Sequence, residues 1–262
     1  MSNRVVTAIT ALAVAFLSAA PAFAQSSKAA WRFKEVIALS QSADTDPTTT
    51  PPAGPTETAW VNILRTHIKT PNLKELAIGV SLQCGILTDT TVRSKGGDLD
   101  TAAAQARIRV RVKITQPDGT VVFAEPDNGG VVTGGVLPVP PVDPDDPRGI
   151  SYCDRFQKLE ARFAGLNCTA DDEGVVTCTD PETLRLLLKT LDANHFNFLH
   201  ANAVPGVQTI EVQAKAAAGV ALGGTSLGAA GAEAFVGSGA LYVETIRLVK
   251  DADGTTDLDN LR

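Results

Sequence analysis

The chain has 262 residues, enough to bury a substantial core, and a formal net charge of −6 from 23 Lys and Arg against 29 Asp and Glu. That mild acidity speaks against nucleic acid or an anionic membrane as the main partner, because both reward basic surfaces. With 22 Gly, 15 Pro and a single Met, the composition suits strands and turns better than long helices.

Residues 1–24 read as a secretory signal peptide. Arg4 precedes an apolar run from Val5 to Leu17, and Ala22 and Ala24 stand at the small-residue positions before a cut between Ala24 and Gln25. The run is short for a membrane span, and no later segment is long and apolar enough to cross. The expected location is secreted, periplasmic or cell-surface. In that oxidising setting Cys84, Cys153, Cys168 and Cys178 are disulfide candidates. Three pairings exist. A local bridge between Cys168 and Cys178 is easy across the hairpin-like "TADDEGVVT", which leaves Cys84 with Cys153 as a long-range staple. Zinc is disfavoured, since no C-x-x-C pair exists and no His lies near these cysteines.

Residues 25–58 read as an N-terminal strand, "WRFKEVIALS", followed by a Pro/Thr-rich linker that cannot bury apolar surface. A β-sandwich domain is expected over 59–250. "WVNILRTHIK" opens it as a strand. In the next strand Leu76, Ile78, Val80, Leu82 and Cys84 share one face, which aims Cys84 inward. "TDTTVRSKGGDLDTAA" reads as a polar loop. "ARIRVRVKIT" then alternates strictly, with Ile108, Val110, Val112 and Ile114 opposite Arg107, Arg109, Arg111 and Lys113. The cations read as a solvated outer face; a polyanion-binding stripe and charge protection of an edge strand are the other readings.

"QPDGT" gives a turn into "VVFAEP", and "LPVPPVDPDDPRG" a loop. "SYCDRFQKLEARFAGLNC" fits helix or strand, and the strand is preferred. One short helix is expected near 181–193. Asp180 suits the N-cap and Pro181 the first turn, and Leu184, Leu187, Leu188 and Leu191 fall at helical spacing. "HFNFLH" returns to strand. "GVQTIEVQAK" and "ALYVETIRLV" then read as a closing antiparallel hairpin. The Ala/Gly-rich residues between them either let strands approach closely or form a flexible tip. An acidic polar tail, 251–262, ends the sequence.

"PGVQTIEVQAK" followed by "GSGALYVETIRLV" resembles the last hairpin of jelly-roll domains of the tumour-necrosis-factor-like and complement-like type, and of some phage and bacterial surface proteins. The shared pattern, G-x-(H/Q)-T-(I/V)-x-V then L-x-V-E, spans about forty residues and concerns fold alone. The resemblance implies an antiparallel, jelly-roll-like sandwich, of a kind that trimerises or binds partners through its loops.

The candidates for chemistry are few. "GTSLG" places Ser226 in a G-x-S-x-G frame, yet no His follows it as a nucleophile elbow requires. His67 shares an outer strand face with Arg65 and Lys69, and His195 and His200 fall on opposite faces of a strand, so no metal pair is expected. The acids at Asp143–Asp146, Asp171–Glu173 and Asp251–Asp257 offer hard oxygens, but solvated turns are preferred to calcium because the EF-hand spacing fails. The aromatics Trp31, Trp60, Tyr152 and Tyr242 are scattered over four segments, which weakens a carbohydrate-binding reading. No catalytic, cofactor-binding or metal-ligating residue is assigned, and calcium remains the one cofactor worth testing. The expected function is that of an exported, non-catalytic structural or adhesive protein. Its partner is itself, through an oligomer or polymer, or another surface component. The alternatives are a carbohydrate- or small-ligand-binding module and a carboxylate-dependent hydrolase.

Overall fold

The computed structural model describes residues 29–45, 56–71, 74–94, 99–127, 149–162, 168–178, 182–224 and 228–247. In chain order the strands are β1 (Ala29–Lys34), β2 (Leu39–Thr45), β3 (Thr56–Glu57), β4 (Val61–Thr70), β5 (Lys74–Ser94), β6 (Leu99–Thr115), β7 (Val121–Phe123), β8 (Ile150–Arg162), β9 (Cys168–Ala170), β10 (Val176–Cys178), β11 (Glu182–Ala203), β12 (Gly206–Gly223) and β13 (Ala229–Ile246). The expected signal peptide, most of the expected Pro/Thr linker, the loop before Gly149 and the acidic tail lie outside the described residues.

Two antiparallel sheets form a sandwich. In the first, β13 and β5 are central, β11 forms one margin, and β1 and β2 pair end to end along the other. In the second, β12 and β6 are central, β3 and β4 share one margin, and β7 and β8 share the other. The strand "WRFKEVIALS" is thus broken: β1 and β2 both pair with β13 of their own chain. Leaving out the short strands, the orders are β1/β2-β13-β5-β11 and β4-β12-β6-β8, and successive strands mostly cross between sheets as in a jelly roll. Nothing in this order singles out the tumour-necrosis-factor-like or complement-like type.

Alternation decides the core. Leu76, Ile78, Val80, Leu82 and Cys84 of β5 are buried, and they face Ile108, Val110, Val112 and Ile114 of β6 and Ile210 and Val212 of β12. Toward the other end the inward residues shrink to Ala102, Ala104 and Ala106, Ala214, Ala216 and Ala218, and Ala230, Ala232 and Ala234. Small side chains let the sheets close up. Cα atoms of β5 and β6, and of β12 and β13, come within 8 Å, against the usual sheet spacing of about 10 Å.

Four expectations need correction. The short helix near 181–193 is absent: 182–203 is one long strand, β11, paired residue by residue with β5. Leu186 stands between the leucines at helical spacing, and in register with β5 the even-numbered Leu184, Leu186 and Leu188 share one face. Pairing with a neighbour outweighed the capping signal. The closing hairpin is also absent, since β12 and β13 lie in opposite sheets and pack face to face. The Ala/Gly residues between them are largely strand, not tip. Finally, the polar loop expected over 88–103 is mostly strand, split between the end of β5 and the start of β6, and Thr88, Thr90 and Val92 point inward and are buried.

Candidate functional surfaces

The sheets are offset, so that β8 packs beneath β5 and leaves β11 overhanging. The inward Leu184, Leu186, Leu188 and Phe196 consequently lack a full facing layer, and the outward Leu187 and Leu191 are each 53% exposed. Together they are the longest run of exposed large apolar residues among the described residues. Where β11 and β8 do approach, a cleft of about 270 Å³ is lined by Tyr152, Arg155, Thr190 and Asn194 beside a disulfide between Cys84 and Cys153. That staple, one of the two expected, joins β5 of one sheet to β8 of the other. Cys168 and Cys178 face each other by backbone register across the β9–β10 ribbon, which fits the expected hairpin; their side chains lie outside the description.

Tyr152 crosses from β8 into the other sheet. Its hydroxyl accepts from the Leu82 N–H at 2.9 Å and donates to the carbonyl of Asn194, so one rung between β5 and β11 runs through a side chain. Burial pushes the Tyr152 phenol up to about 12, with the Leu82 N–H opposing.

On the outer face of the first sheet, register does what the sequence concealed. Trp31 stands opposite Tyr242, Tyr242 opposite Gly79, and Gly79 opposite Asn197. Trp31 is 69% and Tyr242 45% exposed, and Phe33 is exposed in the adjoining row. The His195 ring leans over Gly79, where a Cβ would sit 2.9 Å from Cε1. Ser81 Oγ is 2.7 Å from His195 Nδ1, Asn197 Oδ1 is 2.9 Å from Nε2, and the Tyr242 hydroxyl donates to Glu244 at 2.9 Å. Two of the four scattered aromatics thus meet in a row bordered by hydrogen-bonding groups. Their distance apart in the sequence left no signal to find.

The other two aromatics serve the structure. Tyr152 is buried, and Trp60 lies over the cationic face of β6, with Arg111 at 4.1 Å, Lys215 at 5.1 Å and Arg109 at 5.6 Å from its ring centre. This corrects the solvated reading of that face, because Arg107 and Arg109 are only 3% and 4% exposed. Arg109 stands directly opposite Lys215, and Glu57 answers the repulsion, 3.9 Å from Arg107 and Arg109 and 3.7 Å from Lys215. Burial lowers the Arg107 pKa against the pull of Asp154 and Glu57, with Arg109 adding to the fall. Burial raises Asp154, opposed by Gln105, Arg107 and the Arg155 N–H. Two cationic side chains enclosed by partners in this way form a structural network.

The remaining candidates are dispersed. His67 is exposed and bonded to Thr209; His195 points outward and His200 inward, on opposite faces of β11 as expected. Asp171 Oδ1 accepts from Glu173 and Val175 N–H groups, so this acid closes a turn. Ser226 and the acids at 143–146 and 251–257 lie outside the described residues. Among the described residues no group of three or more His, Cys, Asp or Glu could hold a metal ion, and no helix is long and apolar enough to cross a membrane.

No family model and no curated protein matches the chain. Among solved structures, the chain is similar at a TM-score of 0.18 and 11% identity to a structure of the infectious bursal disease virus Gx strain, covering 84% of this chain and 40% of that one. A crystal structure of the infectious bursal disease virus VP2 subviral particle follows at 0.16 and 10%, covering 89% and 45%. The chain thus spans under half the length of each, and superpositions this loose assign neither family nor function.

Proposed function

We propose that the chain is an exported, non-catalytic structural or adhesive protein that works by associating with copies of itself. The observation that carries this reading is the overhang of β11, which combines leucines on both faces with an edge that, from Arg185 to Asn197, no strand of the described residues covers. Proteins that stay monomeric guard such edges with charge, proline or a covering segment. Here Arg185, Lys189 and Asp192 are the only charges between Leu184 and Leu199. Asp89, which lines a surface depression, is bound by Arg185 on both carboxylate oxygens, which fits a non-catalytic role for that acid. The mass of the folded protein, measured by light scattering over a rising concentration series with and without calcium, tests the proposal. Multimers unaffected by calcium are expected; a monomer at every concentration removes it.

A second reading follows from the Trp31–Tyr242 row. Exposed ring faces beside Glu244, Asn197 and His195 suit the apolar face and hydroxyl rim of a sugar ring. Titration with soluble oligosaccharides, followed by tryptophan fluorescence in native protein and in Trp31→Ala, checks it. Saturable quenching that vanishes in the variant supports glycan binding, and no change in the native protein excludes the sugars tested.

A further inference from the structure

We infer that the open edge of β11 pairs antiparallel with the same edge of a second copy, about a two-fold axis perpendicular to the sheet and centred on Leu191. This rests on the self-association proposed above and names the surface that performs it.

The direction of the backbone groups comes first. Leu199 donates its N–H to the Glu125 carbonyl at 2.7 Å and accepts from the Glu125 N–H at 2.8 Å, away from β5. In an antiparallel strand alternate residues turn their polar groups to the same side. From Arg185 to Asn197 the odd-numbered residues therefore aim N–H and C=O at the open edge, where no strand of the described residues pairs with them. The Glu125 contact shows that this edge takes a partner where one is offered.

Charge and length then select the register: like charges directly opposite destabilise a strand pair, and axes beyond Asp192 shorten the pairing and draw in Leu199, already bonded to Glu125. An axis on Leu187 sets Arg185 against Lys189, and an axis on Lys189 sets that lysine against its copy. Axes on Leu188 or Thr190 put Asp192 opposite Leu184 or Leu188, and an axis on Asp192 pairs two aspartates. An axis on Leu191 avoids all of these. It places Lys189 opposite Ala193, Arg185 opposite Asn197 and Asp192 opposite Thr190. On the inward face it sets Leu186 opposite Phe196, which extends the apolar strip that the offset leaves uncovered.

Size sets the strength. Pairing from Arg185 to Asn197 runs about 45 Å at roughly 3.4 Å per residue, and a sheet with its side chains is about 10 Å thick. The projected contact is on the order of 450 Å², below the roughly 600 Å² per partner at the lower end of specific interfaces, so the pairing is a weak, concentration-dependent one.

Cysteine crosslinking tests both surface and register. In a hydrogen-bonded antiparallel pair the facing Cα atoms are about 5.5 Å apart, within disulfide reach, whereas Leu187 faces His195 of the other copy. Under mild oxidation Leu191→Cys should form covalent dimer roughly tenfold faster than Leu187→Cys, whose two copies lie beyond bridging distance. A faster reaction at Leu187→Cys overturns the register. In parallel, Leu187→Lys with Leu191→Lys should run as a monomer with the circular dichroism of the native protein. If the native protein is multimeric and this double variant is equally so, the interface lies elsewhere and only this inference fails. If the native protein is monomeric throughout, the self-association reading fails with it.

Discussion

At the scale of single residues, His200 shows how β11 is tied to the core at one end and left open elsewhere. It faces inward opposite Leu76, and its Nε2 is buried without a hydrogen-bond partner among the described residues. Burial holds its pKa below the ordinary 6.5, because desolvation penalises the imidazolium. The folded state thus binds a proton less readily than the unfolded chain. The neutral ring's contribution to stability is complete above about pH 6.5 and is lost as the pH falls through the depressed value. Melting temperatures recorded from pH 8 down to pH 4 should therefore fall less steeply in His200→Leu than in the native protein. Parallel curves would show that the ring carries no linkage. The same contrast explains Arg107 and Arg109: period two correctly sent them to the outer face, but "outer" proved not to mean "wet" once Trp60 and Glu57 closed over them.

At the scale of elements, β11 depends on groups sent from the opposite sheet. The Tyr152 hydroxyl supplies the rung between Leu82 and Asn194, and Gln157 Nε2 donates to the Leu186 carbonyl at 2.8 Å. Removing the hydroxyl in Tyr152→Phe leaves a buried N–H and carbonyl without their bridge, at a cost of about 1–3 kcal/mol. Hydrogen exchange should accelerate at Leu82 and along β11 well before β6 or β12. Uniform acceleration would mean that the rung is not local to β11. The strands with one strict face, β5 and β6, were legible because alternate positions of one sign of hydropathy admit a single register. β11 was misread because leucines on both faces satisfy helical and strand periods together, and only a neighbouring strand could break the tie. The Trp31–Tyr242 row was illegible for a different reason: it exists only in the pairing of β1 with β13.

At the scale of the whole molecule, the disulfide is the covalent link between the sheets. Cys84 and Cys153 are separated by 69 positions, and closing a loop of that length restricts the unfolded chain by about 4 kcal/mol in the loop-entropy account. Urea titration of Cys84→Ser with Cys153→Ser should show a loss of that order. A loss under 1 kcal/mol would place the inter-sheet stability in packing alone. The strand order has one more effect, on the sequence of events in the cell. Among the described residues β1 and β2 pair in the sheet only with β13, the last strand of the series. These first strands must therefore wait, unpaired, while everything between is synthesised. No nascent fragment ending before Ala229 contains β13, the strand that joins β1 and β2 to β5. Until β13 is added, one flank of β5 and both N-terminal strands have no partner in the sheet, so the first sheet closes only after every strand of the second has been made.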